Sequence, residues 1–193
     1  MLFNSYIFIF LFLPLALLGW YGLNRCRAYE MAKLFLAVMS LWFYGYFNLY
    51  YLFVILGSIL VNYLLSFLLK KFSPPKVLLN LGILFYFKYY DFFFENVNAV
   101  FKTDFTLRHI LLPLGISFFT FQQLSFIIDR AKGKAEHYSF INYLTFVTFF
   151  PQLIAGPIVL YKEMMPQFED TANRRFNSDQ FAKGIIIFTI GLG

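Results

Sequence analysis

The chain has 193 residues; 60% are hydrophobic, 23% aromatic and only 13% charged, with a mean hydropathy of +0.66 and a formal net charge of +6. A soluble domain carries roughly a quarter charged residues, so the composition excludes a soluble globule and, equally, a disordered chain. The basic balance fits Lys and Arg in cytoplasmic loops rather than a nucleic-acid footprint. The single cysteine, Cys26, excludes an internal disulfide, and no Cys/His cluster has the spacing of a metal site.

The expected fold class is all-α: one polytopic membrane domain over residues 1–193, multi-pass in the cell membrane, with about six spans of roughly 20 apolar residues each and the start of a seventh. The first span is Leu2 to Tyr21. No Lys or Arg precedes its apolar run and Gly19-Trp20-Tyr21-Gly22 is a poor cleavage site, so it reads as a retained helix rather than a signal peptide. No residue is charged between Lys33 and Lys70. That stretch predicts a helical hairpin bent near Asn48, with Tyr44, Tyr46, Tyr50 and Tyr51 as an interfacial belt. Pro74-Pro75 breaks the chain before a fourth span, Val77 to Phe94. The fifth is His109 to Asp129, the sixth Tyr138 to Tyr161, and a seventh starts at Gly184. Loops holding Arg25, Arg27 and Lys33, then Lys70, Lys71 and Lys76, then Arg130, Lys132 and Lys134, alternate with loops poor in net positive charge. This places the N-terminus outside. The segment 161–183 balances Lys162, Arg174, Arg175 and Lys183 against Glu163, Glu169, Asp170 and Asp179, so its side stays open.

Several positions carry chemistry or packing. Ser58, Asn62 and Ser66 recur every fourth residue and share a helix face, either a packing seam or a substrate lining. Lys88 and Asp91 lie among tyrosines near a predicted interface, where snorkelling and pairing explain them. In the fifth span Gln122, Ser125 and Asp129 form a polar stripe, which must face protein or water rather than lipid. His109 and His137 read as an interfacial and a solvated histidine. In the sixth span Pro151, Gln152, Gly156 and Pro157 cannot lie in one straight helix, and they predict a kinked or re-entrant element.

Two long blocks carry a resemblance. HILLPLGISFFTFQQLSFIIDRAKG, His109 to Gly133, and FVTFFPQLIAGPIVLYKEMMPQF, Phe146 to Phe168, resemble the hallmark segments of bacterial membrane-bound O-acyltransferases, and MLFNSYIFIFLFLP, Met1 to Pro14, is similar to the family's first helix. Leu153-Ile154-Ala155-Gly156-Pro157 and Ile128-Asp129 resemble the alginate and peptidoglycan O-acetyltransferase branch.

The resemblance implies a ring of transmembrane helices with a thin centre. It implies an acetyl or other acyl group passed from a cytoplasmic donor to an extracytoplasmic polysaccharide, with a periplasmic or extracytoplasmic acetyltransferase as a partner protein. Acetyl-CoA or another acyl thioester is the implied donor; no recognisable cofactor motif is present and no nucleic acid is expected. The family's catalytic histidine follows an Arg-rich Trp-His segment with no counterpart here, so no catalytic residue is assigned. The chain is expected to be the N-terminal portion of a longer enzyme, inactive by itself. Gln122, Ser125, Asp129, Pro151, Gln152, Gly156 and Pro157 are then the expected channel-lining positions. A secondary transporter or flippase would also use broken helices, and a non-catalytic membrane scaffold is the third reading.

Overall fold

The computed structural model describes residues 3–46, 48–68, 82, 85–86, 88–103, 105–107, 115–131, 139–153, 156 and 159–192. Among these every regular element is helical, as the composition predicts. They are α1 (Leu13–Arg25), α2 (Tyr29–Gly45), α3 (Leu49–Leu68), α4 (Tyr90–Phe101), α5 (Ile116–Ala131), α6 (Phe140–Thr148), α7 (Phe150–Leu153), α8 (Tyr161–Glu169) and α9 (Ser178–Leu192).

A π-helical turn, Phe8–Phe12, leads directly into α1, with the Leu13 amide donating to the Phe8 carbonyl. The widened turn stands just ahead of Pro14, whose ring would press on the carbonyl of Phe10 in a regular helix. Phe8–Arg25, 18 residues with mean hydropathy 1.4, is long and apolar enough to cross a membrane, and Leu49–Leu64 is a shorter apolar helix. By that criterion one described helix qualifies, against the six spans expected.

The hairpin bend falls where expected, between Gly45 and Leu49. Tyr44, however, is no belt residue. It is fully buried, while Tyr46 and Tyr50 are exposed. Lys33 is also not in a loop. It lies in α2, is 4% exposed, and joins α2 to α6. The fourth span was expected to end at Phe94, but α4 continues to Phe101. Its asparagines serve the helix instead of breaking it. Asn96 Nδ2 donates to the Phe92 carbonyl at 2.6 Å, and Asn98 Oδ1 accepts from the Phe105 amide at 2.9 Å to hold the turn beyond. Residues 77–81 and 109–114, with His109, His137 and the Lys70, Lys71 and Lys76 loop, lie outside the described residues.

The sixth span differs most. Ser139 caps α6 by accepting from the Asn142 amide at 3.1 Å. The helix stops at Thr148, because Phe149 (φ −51°, ψ 109°) leaves the helical region before either proline. Pro151 is the second residue of α7, where a missing N–H costs little. The helix that carries the apolar run expected from Gly184 starts earlier, at Ser178. There Asn177 Oδ1 accepts the Asp179 and Gln180 amides at 2.9 and 3.2 Å.

Two cores hold these elements. Ile55 and Ile59 of α3, Phe119 and Phe126 of α5, Tyr143, Phe146 and Val147 of α6, and Met164 and Met165 of α8 form one. Phe8, Phe12, Phe43 and Phe150 form the other, with Phe12 edge-on to Phe150 at 5.0 Å. Gly19 lets the Phe35 ring lie over α1, since a Cβ there would sit 2.1 Å from it.

Candidate functional site

The polar side chains fall into three groups. The first joins α3 to α5. Gln123 Oε1 accepts from Ser58 Oγ at 3.0 Å and from Asn62 Nδ2, and two turns along α5 Arg130 donates to Ser66 Oγ. All of Ser58, Asn62, Ser66 and Gln123 are buried. The Ser58, Asn62 and Ser66 face is therefore a packing seam closed by α5, and a helix interface in an apolar medium gains from such bonds. Gln123 was missed by sequence reading, since its neighbour Gln122 completed the i, i+3, i+7 stripe.

The second group is that stripe. Gln122 is 2% exposed and its Oε1 is buried without a hydrogen-bond partner among the described residues; the buried Oδ2 of Asp129 also lacks one among them. Ser125 donates to the Gln122 carbonyl at 2.9 Å. The Tyr143 hydroxyl is likewise buried with no hydrogen-bond partner among the described residues, the Tyr161 hydroxyl lies by the Asn142 side chain, and both rings pack on Phe126 of α5, at 4.5 and 5.0 Å. A buried polar atom left unpaired costs about 1–3 kcal/mol, and native proteins leave few. Two acceptors on α5 and one hydroxyl on α6, unpaired among the described residues, mark an interface suited to a polar guest.

The third group surrounds the helix break. The Phe150 amide, freed where α6 ends, donates to Ser40 Oγ of α2 at 3.2 Å, and Ser40 donates to the Leu36 carbonyl at 2.7 Å. Ser40 is fully buried and holds the break from a neighbouring helix, a role invisible in sequence. Pro151 is exposed and lines a cavity of about 420 Å3 with Trp20, Phe149, Met164, Gln167 and Asn173. Gln152 is buried. A Cβ on Gly156 would lie 2.5 Å from the Gln152 Cα, so only glycine fits there. Pro157 lies outside the described residues. The stripe and the break thus occupy separate interfaces, α5 for one and the α1–α7 side for the other.

Beside these, Lys33 Nζ donates to Asn142 Oδ1 at 2.5 Å and pairs with Glu30 at 2.7 Å. Lys88 lies over the Tyr89 ring at 5.3 Å. No group of His, Cys, Asp or Glu among the described residues has the arrangement of a metal site.

Residues 127–193 match the model of the membrane-bound O-acyltransferase family. The chain is similar over its full length to the peptidoglycan O-acetyltransferase of Helicobacter pylori, at 38% identity and covering 43% of that protein. It is similar over 99% of its length to proteins named probable alginate O-acetylase AlgI: 34% identical to that of Pseudomonas aeruginosa, covering 38% of it, and 36% identical to that of Pseudomonas putida, covering 41%. The chain spans less than half the length of these relatives. No solved structure matches it.

Proposed function

The chain belongs to the membrane-bound O-acyltransferase family, and on that premise we propose that it builds part of an enzyme that acetylates a polysaccharide outside the membrane, drawing the acetyl group from a cytoplasmic thioester such as acetyl-CoA. The observation that carries this reading is similarity along the whole chain to relatives named for O-acetyl transfer to peptidoglycan and alginate.

The residues described here supply walls and positioning rather than the base that activates the acceptor hydroxyl. Gln122, Ser125 and Asp129 present polar atoms to the passage, and the Tyr143 hydroxyl across from α5 adds to its lining. Pro151, Gln152 and Gly156 belong to the helix break at a separate interface, where they shape the backbone rather than the stripe. A polysaccharide acceptor, a bilayer and an extracytoplasmic partner protein belong to the same proposal, as does a multi-pass topology with the N-terminus outside.

The test uses the full-length protein in membranes supplied with isotope-labelled acetyl-CoA and acceptor glycan. Label should reach the glycan, and Asp129→Asn and Gln122→Leu should lower transfer by roughly tenfold, the weight of one lost polar contact at a positioned site, with membrane abundance retained. Unchanged transfer in both variants would remove the stripe from the passage. Glycan export without acetyl transfer would make the protein a transporter.

A further inference from the structure

A second cavity, of about 820 Å3, lies away from the stripe, between α1, the start of α2 and the turn that leads into α9. Its two ends differ in chemistry. At one end stand four arginines, Arg25, Arg27, Arg174 and Arg175, and none of its described lining residues is acidic. At the other, Pro14, Leu17 and Leu18 of α1 face Phe181 of α9. From Pro14 to Arg25 the helix rises roughly 16 Å. Leu18 is 72% exposed, so the apolar end opens on the outer flank of α1.

The basic end is organised. Arg174 Nε donates to the Phe168 carbonyl at 2.9 Å, and its guanidinium lies over the Tyr29 ring at 4.3 Å, which fixes its plane. The side chains of Arg25, Arg27 and Arg175 make no hydrogen bond or ion pair among the described residues. Arg27 sits at φ 60°. The amide of Ala28 bonds the Leu23 carbonyl and that of Arg27 bonds the Asn24 carbonyl, both at 3.0 Å, which is the helix C-terminal motif that favours glycine at the position Arg27 holds. An arginine thus stands where its backbone is strained. Asn24, also in the wall, is 6% exposed; its Nδ2 donates to the Trp20 carbonyl at 2.8 Å while its Oδ1 is buried with no donor among the described residues.

An occupant of this groove must offer an anion to the arginines, a hydrogen-bond donor to Asn24 Oδ1, and hydrocarbon to the flank of α1. We propose that the groove seats a membrane phospholipid whose head group joins an anionic phosphate to hydroxyl donors, with its acyl chains along Leu17 and Leu18. Guanidinium groups match phosphate oxygens in fork geometry, and a basic pocket beside a span is where an anionic lipid gains both charge and burial. The lipid would tie α9, otherwise largely exposed, to α1 at the leaflet on the side of the first loop.

The probes are phosphatidylglycerol, phosphatidylcholine, glycerol 1-phosphate and coenzyme A, each added to the delipidated full-length protein and followed by native mass spectrometry. Phosphatidylglycerol should bind in preference to phosphatidylcholine, which has neither net charge nor a donor. Arg27→Gly relieves the backbone, so its thermal stability should be unchanged or raised while its phosphatidylglycerol affinity falls roughly tenfold, the equivalent of one charge-assisted hydrogen bond. Leu17→Trp should produce a comparable loss from the apolar end with every arginine in place. Lys102→Gln, on an exposed turn elsewhere, should bind as the parent does. Equal binding of both lipids, or no effect of Arg27→Gly and Leu17→Trp, would overturn the proposal. Displacement of the lipid by glycerol 1-phosphate or coenzyme A at equal concentration would also overturn it, showing a soluble phosphate ligand instead.

Discussion

An ammonium group 4% exposed within an apolar helix packet is costly unless paired, and Lys33 satisfies this through Asn142 and Glu30. Removing one partner should cost more than removing both. Asn142→Leu is expected to destabilise the fold by about 2 kcal/mol, because it strands a buried charge. Adding Lys33→Met should recover most of that loss, since a matched apolar pair is near neutral. Denaturant titration in detergent measures both, and a harmless Asn142→Leu would show that Glu30 alone suffices. Glycines give a second contrast. Gly156→Ala forces a Cβ to 2.5 Å from the Gln152 Cα and must shift backbone at the break, whereas Gly57 in α3 has open space around it. In the full-length protein Gly156→Ala should lower transfer out of proportion to abundance. Gly57→Ala should be neutral or stabilising by up to about 1 kcal/mol. Equal behaviour of the two would make the close approach at Gly156 irrelevant.

Between elements, the tightest polar link described is the α3–α5 seam. Ser58 and Asn62 both donate to Gln123 Oε1, so a polar row on one helix is answered by a single side chain on another. Hydrogen bonds of this kind average about 0.6 kcal/mol in membrane helices and reach about 1.7. A double-mutant cycle on Ser58→Ala and Gln123→Leu should return a coupling in that range, measured by reversible unfolding in detergent. A coupling near zero would mean that α3 and α5 associate by packing alone. The break between α6 and α7 is held similarly from outside. Ser40 of α2 accepts the Phe150 amide, and the Phe12, Phe43 and Phe150 rings close over it. The bend is therefore a property of three helices, and Pro151 alone does not create it.

At the scale of the whole molecule, four arginines from distant parts of the chain, Arg25, Arg27, Arg174 and Arg175, gather around one cavity. The Arg174 guanidinium on Tyr29, and the Tyr21 and Phe176 rings edge-on at 5.5 Å, bring the 171–176 turn beside the first loop. A segment whose charge alone balanced thus joins the loop of Arg25 and Arg27. With positively charged loops inside, Cys26, which is free and exposed, should react with an impermeant thiol reagent only after cells are permeabilised. Arg175→Cys in a Cys26→Ser background should behave likewise, and Lys102→Cys in that background should react in intact cells. Labelling of position 175 but not 102 in intact cells would reverse the orientation.

What the sequence determined by itself is what composition and periodicity control. So few charges over so many apolar residues require helices in an apolar medium, the uncharged stretch from Lys33 to Lys70 requires a hairpin, and the two long blocks carry the family. Helix ends were less legible, because what an asparagine does to a helix depends on its side-chain partner: Asn96 and Asn98 support α4 and its turn, while Asn177 starts α9. Only the tertiary structure decided which polar atoms are answered. Gln123 meets Ser58 and Asn62, Lys33 meets Asn142, and Ser40 meets Phe150, across separations of 65, 61, 109 and 110 residues. Gln122 Oε1 and Asp129 Oδ2 remain unanswered a short way along the same helix. No local pattern distinguishes these cases, since neighbouring residues on a helix point about 100° apart, and the partner for each direction comes from a distant part of the chain.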